Sequence, residues 1–301
     1  MFTPHTAARQ IVVNKVDMEV FAHGTVAFPV AFYDVDFSVE QFLWHWHDEF
    51  EIGVVMEGKM LVTIGSKEYT LKTGEAYFAN AGVLHAGRNH AIGEPCRLHI
   101  IVFHPVLISG DTRSIFWQEF VHPLMEDHSL QGLHLSKGTL IQQQVVAAVS
   151  TAWQSYAEKT PDYPFRVRQQ LSDLVFLISK RQKGPQGNLT PKYLRDSQRT
   201  QRMLDFISRN YADAITLREI ATSASISPSE CLRCFHSIIH TTPIQYLMDF
   251  RIKQAAELLR TTQLQVSEIA RRCGFMEMSY FSKVFKMKYG YTPMEFRKQK
   301  N

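Results

Sequence analysis

From about residue 27 to residue 103, apolar and polar positions alternate in short bursts. Ala27–Tyr33, Phe42–His47, Phe50–Met56, Lys59–Ile64, Glu68–Leu71, Ala76–Phe78 and Leu98–Phe103 are β-branched or aromatic. Turns such as Glu57-Gly58-Lys59 and Gly65-Ser66 separate them, and this pattern predicts strands packed as a sandwich or barrel. Between Ser114 and His134 the pattern is mixed: Phe116, Phe120 and Leu124 suit a short helix that Pro123 should end, and Met125–His134 reads as a loop. Beyond Thr139 the period lengthens. Ile141, Val145, Val149, Ala152 and Tyr156 line one helical face, and Val167, Leu171, Leu174, Val175 and Ile178 line a second after Pro161 and Pro164. Lys183, Gly184, Pro185, Gly187, Asn188 and Pro191 mark a linker.

The last hundred residues hold one pattern twice. Leu217-Arg218-Glu219-Ile220-Ala221 and Val266-Ser267-Glu268-Ile269-Ala270 each open a unit, and each is followed by a break and a second helical stretch ending at Phe235 or Phe285. Ala221 and Ala270 are small enough to let two helices cross closely, as in a helix-turn-helix. Thr242-Pro243 and Thr292-Pro293 fall seven residues after those phenylalanines, so the repeat interval is about fifty residues. Thr216 with Glu219, Ser227 with Glu230, and Thr242 with Gln245 have capping-box spacing, and Pro228 and Pro243 occupy first-turn positions where a missing N–H is harmless. Between the units, Pro243–Arg260 predicts a connecting helix about 25 Å long.

Ile269-Ala270, Cys273-Gly274-Phe275, Ser279-Tyr280-Phe281-Ser282-Lys283, Phe285-Lys286, Gly290, Thr292-Pro293 and Phe296-Arg297 stand in one unbroken frame. This stretch is similar to the signature of the AraC/XylS family of transcriptional regulators. The first unit and Arg251, Ala255, Leu258 and Leu259 match it too, so the resemblance covers at least residues 200–298. It implies that both second helices enter successive major-groove segments on one face of duplex DNA.

Charge agrees with this. Residues 198–301 carry 16 Lys/Arg and 9 Asp/Glu, net +7, while the preceding residues carry 17 and 20, net −3. A positive third that holds both helix-turn-helix units suits phosphate neutralisation. At 301 residues and 45% apolar the chain is long enough for two ordinary domains. No apolar run reaches 18 residues and no leader pattern opens the sequence, so a cytoplasmic protein without a membrane partner is expected. Cys96, Cys231, Cys234 and Cys273 lack zinc-finger or disulfide-framework spacing and read as packing residues.

In the first recognition helix, Ser229, Glu230, Leu232 and Arg233 are the expected base readers, with His236 near the backbone. Arg233 is the foremost, because a guanidinium can pair bidentately with guanine O6 and N7. Met278, Ser279, Ser282 and Lys283 are the base-reading candidates of the second, and Arg271, Arg272 and Lys286 suit phosphates. His240 stands where the family commonly has glycine, and Gln265 replaces the usual Ser or Thr cap.

The polar groups of the strand region are also ordered: His45, His47, Glu51 and Gly58 are followed by Gly74, Asn80, Gly82, His85 and Asn89. This resembles the two motifs of the cupin superfamily, with Asn80 where that family usually has Pro. The expected fold is therefore two-domain α+β: a cupin-like β-barrel (jelly roll) with flanking helices, and an all-α domain with two helix-turn-helix units. Expected boundaries are 1–136 for the effector-binding domain, 137–182 for a helical pair that packs on the barrel and dimerises, 183–197 for the linker and 198–301 for the DNA-binding domain.

The resemblances together imply a transcriptional activator responding to a small molecule, a sugar or sugar derivative, held by His45, His47, Glu51 and His85. Trp44, Trp46, Phe78 or Phe32 would supply a stacking surface. No cofactor is expected. Three imidazoles and a carboxylate would also suit Zn²⁺, Fe²⁺, Mn²⁺ or Ni²⁺, so any bound metal would fall on these four residues. The competing reading is a metal-dependent cupin enzyme or metal sensor fused to a DNA-binding domain. Expected partners are double-stranded DNA, the carbohydrate effector, a second copy of the chain and RNA polymerase.

Overall fold

A single strand of fifteen residues, β3 (Phe50–Ile64), organises the N-terminal half of the computed structural model, which describes residues 23–38, 42–91, 93–136, 138–181 and 189–298. The expected turn at Glu57–Lys59 is instead a register shift between Val55 and Glu57 inside this strand. Gly58 passes with φ +79°, where a Cβ would lie 1.8 Å from the Pro95 carbonyl oxygen, so the glycine signals close backbone approach rather than a chain reversal.

Before the shift β3 pairs antiparallel with β5 (Ala76–Ala79) and β7 (Cys96–Phe103). Beyond it, β3 pairs with β4 (Lys67–Lys72) and β6 (His85–Asn89). Strand β1 (Val30–Asp36) joins β7, β2 (Phe42–His45) joins β6, and β8 (Gly132–Leu135) joins β5.

The main order is β1-β7-β3-β5-β8, and β1 and β8 form its two ends without pairing with one another. The expected cupin-like barrel or jelly roll is therefore corrected: among the described residues the sheet branches at β3 and does not close. Helices do part of what closure would do. Helices α3 (Leu140–Glu158) and α4 (Tyr163–Ser179) bury Val145, Val149, Ala152, Val167, Leu171 and Leu174 in one core with Val30, Phe32, Phe50, Ile52, Phe78 and Ile101. The alternate residues Val55, Tyr77, Leu98, Ile100 and Val102 form a second core on the opposite face. A sheet covered on both faces buries its apolar residues without curling onto itself.

The mixed stretch contains α1 (Val106–Ser109), a π-helical turn Trp117–Val121 and α2 (His122–Met125). Pro123 lies in the first turn of α2, directly after the π-helical turn, so it does not end the helical run, which continues to Met125. Part of the expected loop, Gly132–Leu135, is strand β8.

The chain divides at residues 189/190 into two compact units. The linker residues Lys183, Gly184, Pro185, Gly187 and Asn188 lie outside the described residues, but Pro191 does not continue a linker. It opens α5 (Pro191–Asn210), whose first turn is capped by the Thr190 hydroxyl. Helices α6 (Leu217–Ser223), α7 (Pro228–Ile239), α8 (Pro243–Thr261), α9 (Val266–Arg272), α10 (Met278–Tyr289) and α11 (Pro293–Lys298) follow.

Thr216 and Glu219 form the complete reciprocal box. Ser227 and Thr242 each accept from the backbone N–H three residues on, and Gln265 caps α9 with no side-chain bond. Ala221 and Ala270 are buried where their helices cross. One core joins Ile252, Ala255, Ala256 and Leu259 of α8 to Ile269, Ala270, Cys273, Phe281 and Phe285. All four cysteines are buried and unbridged, and burial pushes the Cys231 and Cys273 thiols up to about 12, as befits packing groups.

His240 ends α7 with φ +54°, and Gly290 ends α10 at the equivalent place with φ +78°. The left-handed region costs a residue with a Cβ roughly 1–2 kcal/mol. His240→Gly should therefore stabilise the protein by about 0.5–1 kcal/mol, after allowing for the greater freedom of glycine in the unfolded chain. Gly290→Ala should destabilise it by a similar amount, and urea denaturation of both variants measures this.

Candidate nucleic-acid interface and buried histidine cluster

The recognition helices follow from the helix-turn-helix packing. With Cys231, Cys234, Phe235, Ile238 and Ile239 turned inward, α7 leaves Ser229, Leu232 and His236 exposed. These are three and four residues apart and share one face. Phe281 and Phe285 anchor α10, leaving Met278, Ser279, Lys283 and Lys286 exposed and Ser282 half-buried.

The remaining candidates are held by carboxylates. Arg271 and Arg272 both bind Glu268, at 2.9 and 2.7 Å. Glu230 and Arg233 bind one another and are half-buried. Glu230 does not complete a capping box, because its carboxylate turns to Arg233, whose hydrogen bonds hold its pKa down to about 2. Met276, before α10, is 98% exposed and was not singled out from sequence.

Strand pairing builds the second site. His45 on β2 lies opposite His85 on β6, His85 lies opposite Ile64 on β3, and Glu51 lies on the other half of β3 opposite Ala79. His47 follows β2 directly. His47 Nε2 is 3.3 Å from Glu51 Oε2 and His85 Nε2 is 3.6 Å from Glu51 Oε1. The His45 and His85 rings are 4.2 Å apart, and one ligating atom from each of the four residues lies within 4.8 Å of the others. Glu51, His85 and His47 are buried, at 1%, 2% and 8% exposure, and His45 is half-buried.

Tyr77 was not foreseen as part of this site. Its hydroxyl donates to Glu51 Oε1 at 2.6 Å. Gly53 makes that reach possible, since a Cβ there would lie 2.3 Å from the Tyr77 ring.

The hydrogen bonds at Nδ1 define the chemistry. His45, His47 and His85 each direct Nδ1 at a backbone carbonyl, of Leu43, Glu49 and Val83 respectively, at 2.8, 3.1 and 2.8 Å. A carbonyl only accepts, so Nδ1 carries the hydrogen and Nε2 of a neutral ring presents a lone pair. The three Nε2 atoms converge on an acceptor carboxylate: His47 Nε2 hydrogen-bonds Glu51 Oε2 at 3.3 Å, which requires a hydrogen there, and His85 Nε2 is buried without a hydrogen-bond partner. Burial alone would raise the Glu51 pKa, but His85 and His47 hold it well below the usual range. The arrangement calls for positive charge at its centre, from added protons or from a cation. Imidazoles oriented through Nδ1 to backbone carbonyls, with one carboxylate, fit a divalent transition-metal ion.

The two helix-turn-helix motifs, with the likenesses that follow, support a DNA-binding, AraC-family-like transcriptional regulator. Residues 220–299 match the family described as Helix-turn-helix domain, and residues 28–155 match the AraC-like ligand binding domain. The chain is 27% identical to the uncharacterized HTH-type transcriptional regulator YdeC of Bacillus subtilis, over 96% of this chain and 99% of that one. It is 24% identical to the HTH-type transcriptional activator RhaS of Escherichia coli O81, over 95% and 96% of the two chains. ToxT from Vibrio cholerae, in complex with (E)-4-(8-methylnaphthalen-1-yl)but-3-enoic acid, aligns with a TM-score of 0.51 at 12% identity, over 91% of this chain and 100% of that one. This last likeness is one of fold alone. No helix among the described residues is long and apolar enough to cross a membrane.

Lys286→Ala is expected to weaken binding to every duplex alike and to flatten the dependence of log K on log salt by about 0.9. Lys283→Ala should cost about 1–3 kcal/mol on the preferred site and much less on random DNA. Fluorescence anisotropy over a salt series separates the two effects, and equal losses for Lys283→Ala on both duplexes would move Lys283 to the phosphates.

Proposed function

We propose that this protein regulates transcription by binding duplex DNA through α7 and α10, and that the ligand to which it answers is a divalent first-row transition metal held by His45, His47, Glu51 and His85. The observation that carries the ligand is the cluster itself: one ligating atom from each of His45, His47, Glu51 and His85 lies within 4.8 Å of the others, and the buried His85 Nε2 has no hydrogen-bond partner. Donor atoms within 4.8 Å of one another surround the space of an ion and not that of a sugar ring. A carbohydrate effector is the second reading, favoured by the half-buried Trp44 and Trp46 on either side of His45. Activation, through contact with RNA polymerase, is the output assigned, following the activators named RhaS and RhaR among the relatives.

Self-association suits the α3/α4 surface. Phe165 and Phe176 are exposed on α4, and Phe176 lines a groove with Ala147, Thr151 and Asp173. Isolated exposed phenylalanines are ordinary, but one lining a groove, with a second exposed on the same helix, marks a candidate contact patch. Phe176→Glu should shift the protein from dimer to monomer in sedimentation velocity.

Chelator-treated protein titrated with Zn²⁺, Ni²⁺, Mn²⁺ or anaerobic Fe²⁺ tests the ligand. One equivalent per chain should bind, with stability rising by about 2.7 kcal/mol at a hundredfold excess of free ion over Kd. His85→Ala should abolish that rise without unfolding the second unit. If no ion binds stoichiometrically and a sugar raises the melting temperature through His85, the carbohydrate reading replaces the metal.

A further inference from the structure

Arg233, the sequence's strongest candidate for reading guanine, directs its hydrogen bonds into the protein. Nη1 and Nη2 donate to Asp196 Oδ2 and Oδ1, each at 2.9 Å, while Nε and Nη2 donate to Glu230 Oε2 and Oε1 at 2.9 and 2.7 Å. A guanidinium has five N–H groups, and these contacts use four of them. A guanine edge needs two donors side by side, so Arg233 cannot read one bidentately while these contacts last. Arg199 closes the quartet, reaching Glu230 Oε1 at 3.0 Å and lying 3.8 Å from Asp196 Oδ1. Within the quartet the two arginines are matched by two carboxylates, and the nearby Arg195 is the exposed positive charge left for phosphates.

The two partners of Arg233 are not equivalent. Glu230 is at the surface of α7 and could exchange Arg233 for water at little cost. The Asp196 side chain is 4% exposed, and removing Arg233 while α5 stayed in place would leave this buried carboxylate only the longer contacts of Arg199 and the Cys234 thiol, each at 3.8 Å. Release of Arg233 is therefore tied to movement of the first turns of α5, the helix by which the chain enters the second unit.

The repeat provides an internal comparison. Fifty residues on from Arg233 stands Lys283, exposed and without an ion-pair partner among the described residues. At the position of Asp196, α8 carries the buried Tyr246, which offers no carboxylate. One recognition helix is clamped and the other is open.

We propose that Asp196 is the specificity-determining residue of the first recognition helix, holding Arg233 away from the base edges so that α7 reads a guanine only after the first turns of α5 release it. The proposal rests on the reading that α7 faces the major groove.

Full-length protein is tested by selection from a random duplex pool, then by titration of the selected duplex. Asp196→Asn preserves shape and removes the charge. It should tighten binding roughly tenfold and enrich a guanine that the parent protein does not demand, and Arg233→Ala in the same chain should erase both gains. Glu230→Gln, which removes the surface partner only, should give a smaller gain. Unchanged or weaker binding by a folded Asp196→Asn protein, with the same selected sequence, would overturn the proposal and make Asp196 a buttress of α7. Ser229→Glu tests the underlying reading separately, since a carboxylate at the exposed start of α7 should lower affinity in both backgrounds. If it has no effect, α7 does not face DNA and the proposal falls with that reading.

Discussion

The N-terminal unit depends on the continuity of β3 through its register shift. One unbroken strand hydrogen-bonds to four others: β5 along its first part, β4 and β6 along its last, and β7 from Phe50 through the shift to Gly58. Side-chain alternation then sends Phe50, Ile52 and Val54 to the core shared with the helices, and Glu51 and Val55 to the opposite face. Glu51 reaches the histidines only because β6, bearing His85, pairs with the far half of the same strand that holds Glu51 on its near half. Two separate strands at this place would leave the distance between those side chains to a loop. The strand fixes it with main-chain hydrogen bonds.

The second unit meets a comparable demand through α8. Its nineteen residues supply one core with Ile252, Ala255, Ala256 and Leu259, while its earlier residue Tyr246 packs edge-on against Phe235 of α7. Both helix-turn-helix motifs are thus built on one rod, and each recognition helix is packed against a piece of it. The asymmetry between them arises outside this shared element. Helix α5 contributes a carboxylate and a guanidinium to the first motif, Asp196 and Arg199, at places where α8 offers the second motif a tyrosine and Asp249. Asp249 turns to Lys288 rather than to Lys283.

What was legible in the sequence was what short-range chemistry dictates. Thr216 and Glu219 announce a helix start three residues apart, and the inward residues of α7 and α10 repeat at helical spacing. The four cluster residues could be named because they fall in two motifs that resemble those of cupins, and the structure brings their ligating atoms within 4.8 Å of one another without closing the sheet. Strands β6 and β8 were missed since His-Ala-Gly-Arg-Asn and Gly-Leu-His-Leu have few β-branched or aromatic residues, and pairing with β3 and β5 makes them strands. Gly58 was misread because a glycine among charges suggests a turn, and only the Pro95 carbonyl opposite explains it. The closed barrel was inferred from motif residues that do lie together, but motif proximity does not determine how the outer strands end. Pro191 looked like linker until Thr190 was seen to cap it.

The Asp196–Arg233 contact spans 37 residues and no local rule anticipates it, yet it changes what an exposed helix can do. A ligand can shift DNA affinity only if it binds the competent and incompetent states differently. On the proposed reading the cluster in the first unit is where that difference would arise, because a cation among three imidazoles and a carboxylate would draw together four groups from β2, the segment after it, β3 and β6. The clamp in the second unit supplies a place for it to be spent, because one arginine is either bonded to Asp196 or available to a base. What joins them in the chain is a short segment followed at once by α5. Asp196 lies in the second turn of α5, so a shift of that helix start would hold or release Arg233 without remodelling the core around α8.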